Sequence, residues 1–185
     1  MKRLAIVALS ALMSVNAFAL FSETEPNNTR ATADMVIYNL RNTPPFAEVG
    51  VLNLTQNDSD FFKIRLEAGD WLTAITYPIN NPPNDPDTVM ALFDSTGNTA
   101  IVFNDDANGL GSAIRWQADV SGDYYIAITG YHGSAGRDQL SYYEGATHSQ
   151  TGGYILTVSV VPEPASMLAL GAGLAGLAAL RRRRK

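Results

Sequence analysis

At 185 residues the chain has room for one ordinary domain, and its lack of cysteine excludes disulfides, zinc thiolates and thiol nucleophiles. The net charge of −5 is unevenly spread. Seven of the 13 Lys and Arg lie in the two ends, so residues 20–164 keep six cations against all 18 Asp and Glu, or −12, a body that repels nucleic acid phosphates and suits cations or neutral partners.

The chain opens with Lys2 and Arg3, an apolar run over 4–13 and the small-x-small step Ala17-Phe18-Ala19. This layout predicts a secretory signal peptide over 1–19, cut after Ala19. From residue 35 to 161 the apolar pattern is mostly period two or short apolar runs, which predicts strands near 35–40, 46–52, 61–66, 71–76, 88–93, 99–103, 113–118, 124–129 and 154–160. Turn chemistry separates them, as in Glu67-Ala68-Gly69-Asp70, Asp94-Ser95-Thr96-Gly97-Asn98 and Ser121-Gly122-Asp123. No stretch has convincing amphipathic helical spacing, and parallel sheets would need crossover helices for which there is little sequence. The pattern therefore predicts an all-β, antiparallel β-sandwich or barrel. Phe62, Ile64 and Leu66 are expected inward, with Lys63 and Arg65 outward, and Tyr124, Ile126 and Ile128 form a similar inward stripe. Trp71 and Trp116 are expected in or at the edge of the core. Two segments, 78–87 with four prolines and 131–153 rich in glycine, are long loops of the kind that carry binding.

After Val161 the chain reads Pro162-Glu163-Pro164, then an uncharged run over 165–180, then Arg181, Arg182, Arg183, Arg184 and Lys185. Sixteen helical residues reach about 24 Å, short of a hydrocarbon core of about 30 Å, a gap that snorkelling arginines and local thinning can close. The basic end is expected to stay cytoplasmic as a membrane stop, which leaves the body outside the inner membrane. The two prolines break the helix and extend the chain just before this segment.

This tripartite tail, residues 161–185, resembles the PEP-CTERM sorting signal of exported Gram-negative proteins. The resemblance implies a transient inner-membrane anchor, recognition of Pro162, Glu163 and Pro164 by an exosortase-like membrane enzyme, removal of the tail, and release of the body to the cell surface or extracellular matrix. It also brings an association with biofilm and exopolysaccharide. A second set of residues resembles the bacterial pre-peptidase C-terminal domain: Glu23-Thr24-Glu25-Pro26-Asn27-Asn28, Asp58-Ser59-Asp60-Phe61-Phe62-Lys63-Ile64, Leu66-Glu67-Ala68-Gly69-Asp70, Leu92-Phe93-Asp94 with Gly97, Asn104-Asp105-Asp106, Ser121-Gly122-Asp123-Tyr124-Tyr125-Ile126 and Gly153-Tyr154-Ile155-Leu156, in that order. It implies that 20–160 fold as a jelly-roll-like antiparallel β-sandwich, an accessory module in most relatives.

The richest candidate site is for calcium. Glu23, Glu25, Asn27 and Asn28 put hard oxygens into one extended segment, but calcium takes six to eight, so a second segment is needed. In calcium-binding relatives the Glu-x-Glu-x-Asn segment folds against the loop before the Asp-Phe-Phe strand, which implies Glu23, Glu25, Asn27, Asp58 and Asp60 as ligands here. Asn28 departs from the pattern, because the collagen-binding relatives carry an aspartate there. A solvated arm pinned by Asx turns is the plainer alternative. Asn104, Asp106, Asn108 and Gly109 echo the first half of an EF-hand loop, but its twelfth position falls on Arg115, and a turn between strands explains the same residues. Catalysis has little support. His132 and His148 both lie in the glycine-rich loop, and neither a Gly-x-Ser-x-Gly elbow nor a His-Glu-x-x-His motif is present. The reading is an exported, non-catalytic module that binds extracellular polysaccharide or protein but no nucleic acid, with calcium as candidate cofactor. The alternative is a secreted hydrolase of extracellular polymer that uses the 131–153 loop.

Overall fold

The computed structural model describes residues 19–36, 47–79 and 85–162. In chain order the elements are β1 (Ala19–Phe21), β2 (Asp34–Met35), β3 (Ala47–Leu54), β4 (Ser59–Leu66), β5 (Trp71–Pro78), β6 (Thr88–Asp94), β7 (Val102–Asn104), β8 (Ala113–Gln117), β9 (Gly122–Gly130), α1 (Leu140–Tyr143) and β10 (Gly152–Val161). They build two five-stranded sheets, ordered β1-β3-β10-β5-β8 and β2-β4-β9-β6-β7. The fold is all-β and sandwich-like. The antiparallel expectation holds for the six pairings among β3 to β10 and is corrected at the two edges, where β1 runs parallel to β3 and β2 parallel to β4. These two strands have three and two residues. A connection long enough to return to the same end can lay so short a segment along an edge without a crossover helix.

The core lies between the sheets. Phe62, Ile64 and Leu66 of β4, Ile126 and Ile128 of β9, and Met90 and Leu92 of β6 face Leu72 and Ala74 of β5 and Tyr154, Leu156, Val158 and Val160 of β10. Each fully buried side chain of this size contributes about 1.5–3 kcal/mol of transfer free energy. Lys63 and Arg65 point outward to Asp123, Lys63 at 2.7 Å. Trp71 and Trp116 are half-buried. Trp116 lies against Tyr124 at 5.0 Å, and the Arg115 guanidinium sits over Trp71 at 4.5 Å.

The second sheet is buried on both faces, which is why β6 and β9 read as apolar runs rather than alternations. Its outer side chains Phe61, Val89, Ala91, Phe93 and Ala127 pack beneath Leu140, Tyr142 and Tyr143. The glycine-rich segment expected as a loop is thus a lid laid over this sheet, with α1 as its one helical turn. Tyr143 is fully buried, meets Phe93 edge-on at 5.5 Å and donates its hydroxyl to the Arg137 carbonyl at 2.9 Å.

Residues 1–18, 37–46, 80–84 and 163–185 lie outside the described residues, and with them all but Ala19 of the expected signal peptide, the end of the expected 35–40 strand, Glu163, Pro164 and the apolar and basic tail. Among the described residues no helix is long and apolar enough to cross a membrane.

Candidate functional site

The opening segment is held on the sandwich by its backbone. The Phe61 N–H donates to the Asn27 carbonyl at 3.0 Å, and the Asp34 carboxylate accepts from the Thr24 N–H at 2.7 Å and from the Asn27 amide at 3.3 Å. The loop before β4 is pinned from the other side. Asn57 takes φ 62°, a left-handed conformation that asparagine tolerates. Its N–H donates to the His148 carbonyl at 3.1 Å, and His148 Nε2–H donates to the Asp58 carbonyl at 2.7 Å. Ser59 donates to the Tyr143 carbonyl at 2.7 Å, so the lid over the second sheet also clamps this loop.

Between the two segments the carboxylates of Glu23, Glu25 and Asp60 come within 4.8 Å of one another. Among the described residues no Lys or Arg is ion-paired with them. Asp60 and Asn27 are fully buried. One oxygen each of Glu23, Asn27, Asn28 and Asp60 is buried with no hydrogen-bond partner, a costly arrangement for polar atoms. Their other atoms are engaged: the Asn53 N–H donates to Glu23 at 2.9 Å, the Asn27 N–H to Glu25 at 3.2 Å, and the Tyr154 hydroxyl to Asp60.

Crowding and burial push these acids toward the protonated form. Burial raises the Glu23 carboxyl to about 7 against the bond from Asn53, with Glu25, Asp58 and Asp34 adding repulsion. Burial and then Asp58 raise Glu25, while burial and then Glu23 raise Asp60 well above the usual range. The open oxygens are all hard donors with no nitrogen or sulfur among them, a set that suits calcium or magnesium rather than zinc or copper.

Of the five residues implied as ligands, the structure brings Glu23, Glu25, Asn27 and Asp60 together. Asp58 is placed beside them, but its carboxylate is spent on its own loop, accepting from Thr55 N–H and hydroxyl at 3.0 and 2.9 Å, the Ser59 N–H at 3.0 Å and the Asn28 amide at 3.1 Å. Asn28, counted in the sequence among the hard oxygens but not among the five ligands, has a buried oxygen with no hydrogen-bond partner, and one member escaped the sequence reading: Tyr154, a β10 residue, grips Asp60. A buried tyrosine usually needs a hydroxyl partner, but only the strand register reveals which.

A second acidic group, Asp87, Asp105 and Asp106, is also within 4.8 Å. It includes part of the stretch read as a turn. Unlike the first it has a cation of its own, since Arg137 is ion-paired with Asp105. Burial, then Asp105 and Asp106, raise the Asp87 carboxyl to about 6. Asn104 behaves as a turn residue, accepting from the Ala113 N–H at 3.0 Å.

Residues 58–130 match the bacterial pre-peptidase C-terminal domain, and 160–184 match the PEP-CTERM protein-sorting motif. The chain therefore carries a pre-peptidase C-terminal domain followed by a PEP-CTERM sorting motif, and that motif implies an exported protein processed at the membrane by an exosortase. The domain match takes in Asp58 and Asp60 but not Glu23 to Asn28. A probable subtilase-type serine protease of Deinococcus radiodurans is 29% identical over 105 residues, 57% of this chain and 14% of that protein, so the chain spans a small fraction of its length. Among solved structures, the periplasmic g-type lysozyme inhibitor PliG of Aeromonas hydrophila is similar at 14% identity and TM-score 0.48, over 78% of this chain and 100% of that one. The pre-peptidase C-terminal domain of a Bacillus anthracis collagenase is similar at 14% identity and TM-score 0.42, over 70% and 94%.

Proposed function

We propose that this chain is an exported, non-catalytic module, held for a time at the inner membrane by the tail over residues 161–185 and then released, whose sandwich takes up a calcium ion at Glu23, Glu25, Asn27 and Asp60, with Asn28 completing the protein ligands and Asp58 shaping the loop. The observation that carries the calcium reading is the convergence of three carboxylates with no paired cation among the described residues, two of which, Glu23 and Asp60, keep an open, buried oxygen. A divalent ion there would replace protons and satisfy those oxygens together. Tyr154 would hold Asp60 in one orientation, as supporting hydrogen bonds do around metal ligands.

The hydrolase alternative draws no support from the two histidines. His148 is buried and donates to a backbone carbonyl, while His132 Nδ1 lies 2.8 Å from the Gly130 carbonyl and its ring is stacked on Tyr142 at 3.8 Å. Both serve to hold the lid. The ligand of the released module is read as a neutral extracellular polymer, polysaccharide or protein, on the strength of the acidic body and the sorting motif.

Thermal melting tests the calcium half. At a hundredfold excess over its dissociation constant, calcium adds about 2.7 kcal/mol to the folded state, or roughly 5–10 °C in Tm. Glu25→Ala with Asp60→Ala should remove that rise, and magnesium should reproduce little of it. Superimposable melts in calcium and in chelator would end the reading. For the sorting half, replacing Pro162, Glu163 and Pro164 with alanine should leave the full-length form in the membrane fraction. Normal release of that variant would count against recognition of the triplet.

A further inference from the structure

The two sheets differ in what lies on their outer faces. The second is roofed by this chain's own 131–151 segment. Among the described residues the outer face of the first, β1-β3-β10-β5-β8, carries no apolar cluster like the one beneath the lid. Its inward set is buried, so the alternate residues face out, and the strand register arranges them in four rows. Val51, Ile155 and Tyr77 make the first, and Leu20, Val49, Thr157, Ile75 and Ala113 the second. Ala47, Ser159, Thr73 and Arg115 make the third, and Val161, Trp71 and Gln117 the fourth. Leu20, Val51, Tyr77 and Val161 are exposed. Only Arg115 in these rows is charged, and its guanidinium lies over the Trp71 ring.

We propose that this face is the contact between two copies of the chain, packed sheet to sheet about a two-fold axis. Charge argues for a second copy. Residues 20–164 carry six cations against 18 carboxylates, so two such bodies repel wherever their carboxylates meet. This face presents no carboxylate in its four rows, and the roofed sheet cannot offer its apolar side chains to anything. Area agrees. Strands of 3, 8, 10, 8 and 5 residues, about 4.8 Å apart at about 3.3 Å per residue, cover roughly 540 Å² per copy. Two copies would bury about 1,100 Å², just above the roughly 1,000 Å² that a specific interface should clear. Sheets packed face to face keep their strands within about 30° at a spacing of about 10 Å. An axis parallel to the strands makes such a contact isologous and leaves both β10 ends, and hence both sorting tails, at the same end of the pair.

The natural absence of cysteine makes single cysteines clean reporters. The full chain would be made with two different epitope tags in one exporting cell, carrying Thr157→Cys, Ile75→Cys or Thr73→Cys, and treated with a short bismaleimide. The expected result is a product of twice the chain mass containing both tags from at least one of these positions. Ser134→Cys, exposed on the lid of the other sheet, should give none. Adding Val51→Glu and Tyr77→Glu, both at exposed positions, should abolish the product while the melting curve stays close to the parent's. Three face cysteines that never join two tags would overturn the proposal. This holds whether they label freely, as an open face would, stay unlabelled beneath another part of the chain, or cross-link to a different protein. Three positions are used so that misfolding of one variant leaves the others to decide.

Discussion

The two acidic groups of this molecule have the same number of carboxylates and opposite solutions to their repulsion. Asp87, Asp105 and Asp106 sit against Arg137, so the charge is neutralised in part by the fold itself. Glu23, Glu25 and Asp60 have no ion-paired cation among the described residues, and their neighbours are hydrogen-bond donors: the Asn53 and Asn27 N–H groups and the Tyr154 hydroxyl. The counter-ion balances the second group only in part, since one oxygen each of Asp87 and Asp105 stays buried without a partner and burial still raises both carboxyls. A group that relies on neutral donors either keeps protons or takes up a cation from outside. That difference is the reason the first group, rather than the second, carries the proposed ion site.

The largest way to break that difference is to take the counter-ion away. Arg137→Ala leaves Asp105 half-enclosed beside Asp87 and Asp106 with nothing to balance it, and is expected to cost about 1–3 kcal/mol at neutral pH. The loss should shrink as acid protonates Asp87 and Asp105, both of which burial raises. Urea denaturation at two pH values measures both. A variant as stable as the parent at neutral pH would show that the ion pair contributes nothing.

A smaller effect should appear in the metal-free parent as pH rises. Burial and mutual repulsion raise the folded-state values of Glu23, Glu25 and Asp60, so the folded protein binds more protons than the unfolded chain between the two values. Stability then falls with rising pH. For Glu23 the window runs from its ordinary value near 4.5 to about 7. Asp94 and Asp123, lowered by hydrogen bonds from Gly97 and Thr96 and from Lys63 respectively, act in the opposite sense at more acid pH, outside that window. Chelator-treated protein should therefore melt higher near pH 5 than near pH 7.5, and excess calcium should reverse the order, because the ion binds the deprotonated carboxylates. The same slope with and without calcium would mean that these acids do not exchange protons for the ion.

Much of this was legible in the sequence where one physical cause acted locally. The alternation of Phe62, Ile64 and Leu66 with Lys63 and Arg65 reports which β4 residues face the core. The apolar runs of β6 and β9 report burial on two sides. Glu23, Glu25 and Asn27 announce hard oxygens by spacing alone, and Asp60 joins them through the family resemblance. What was hidden depended on register between distant segments. Asp58 looks equivalent to Asp60, yet two residues of separation and a left-handed Asn57 turn its carboxylate back onto Thr55 and Ser59. Tyr154 reaches Asp60 from β10, and Asp87, just before β6, joins Asp105 and Asp106, just after β7. The lid escaped because Leu140, Tyr142 and Tyr143 occupy one helical turn inside a glycine-rich stretch, too short for a period to show. The parallel edges escaped because strands of two and three residues leave no pattern.

β10 ties the two halves of the molecule together mechanically. It begins at the acidic site, where Tyr154 holds Asp60, and ends at Val161, one residue before the first proline of the sorting triplet. It is hydrogen-bonded antiparallel to β3 on one side and to β5 on the other over most of its length. A pull on the tail is therefore transmitted along the strand axis, and both ladders are loaded in shear, with many bonds sharing the force, rather than peeled one at a time. Tension on that tail would meet the sandwich along its most resistant direction, and the acidic site lies at the far end of that same strand, roughly 23 Å away at about 3.3 Å per residue.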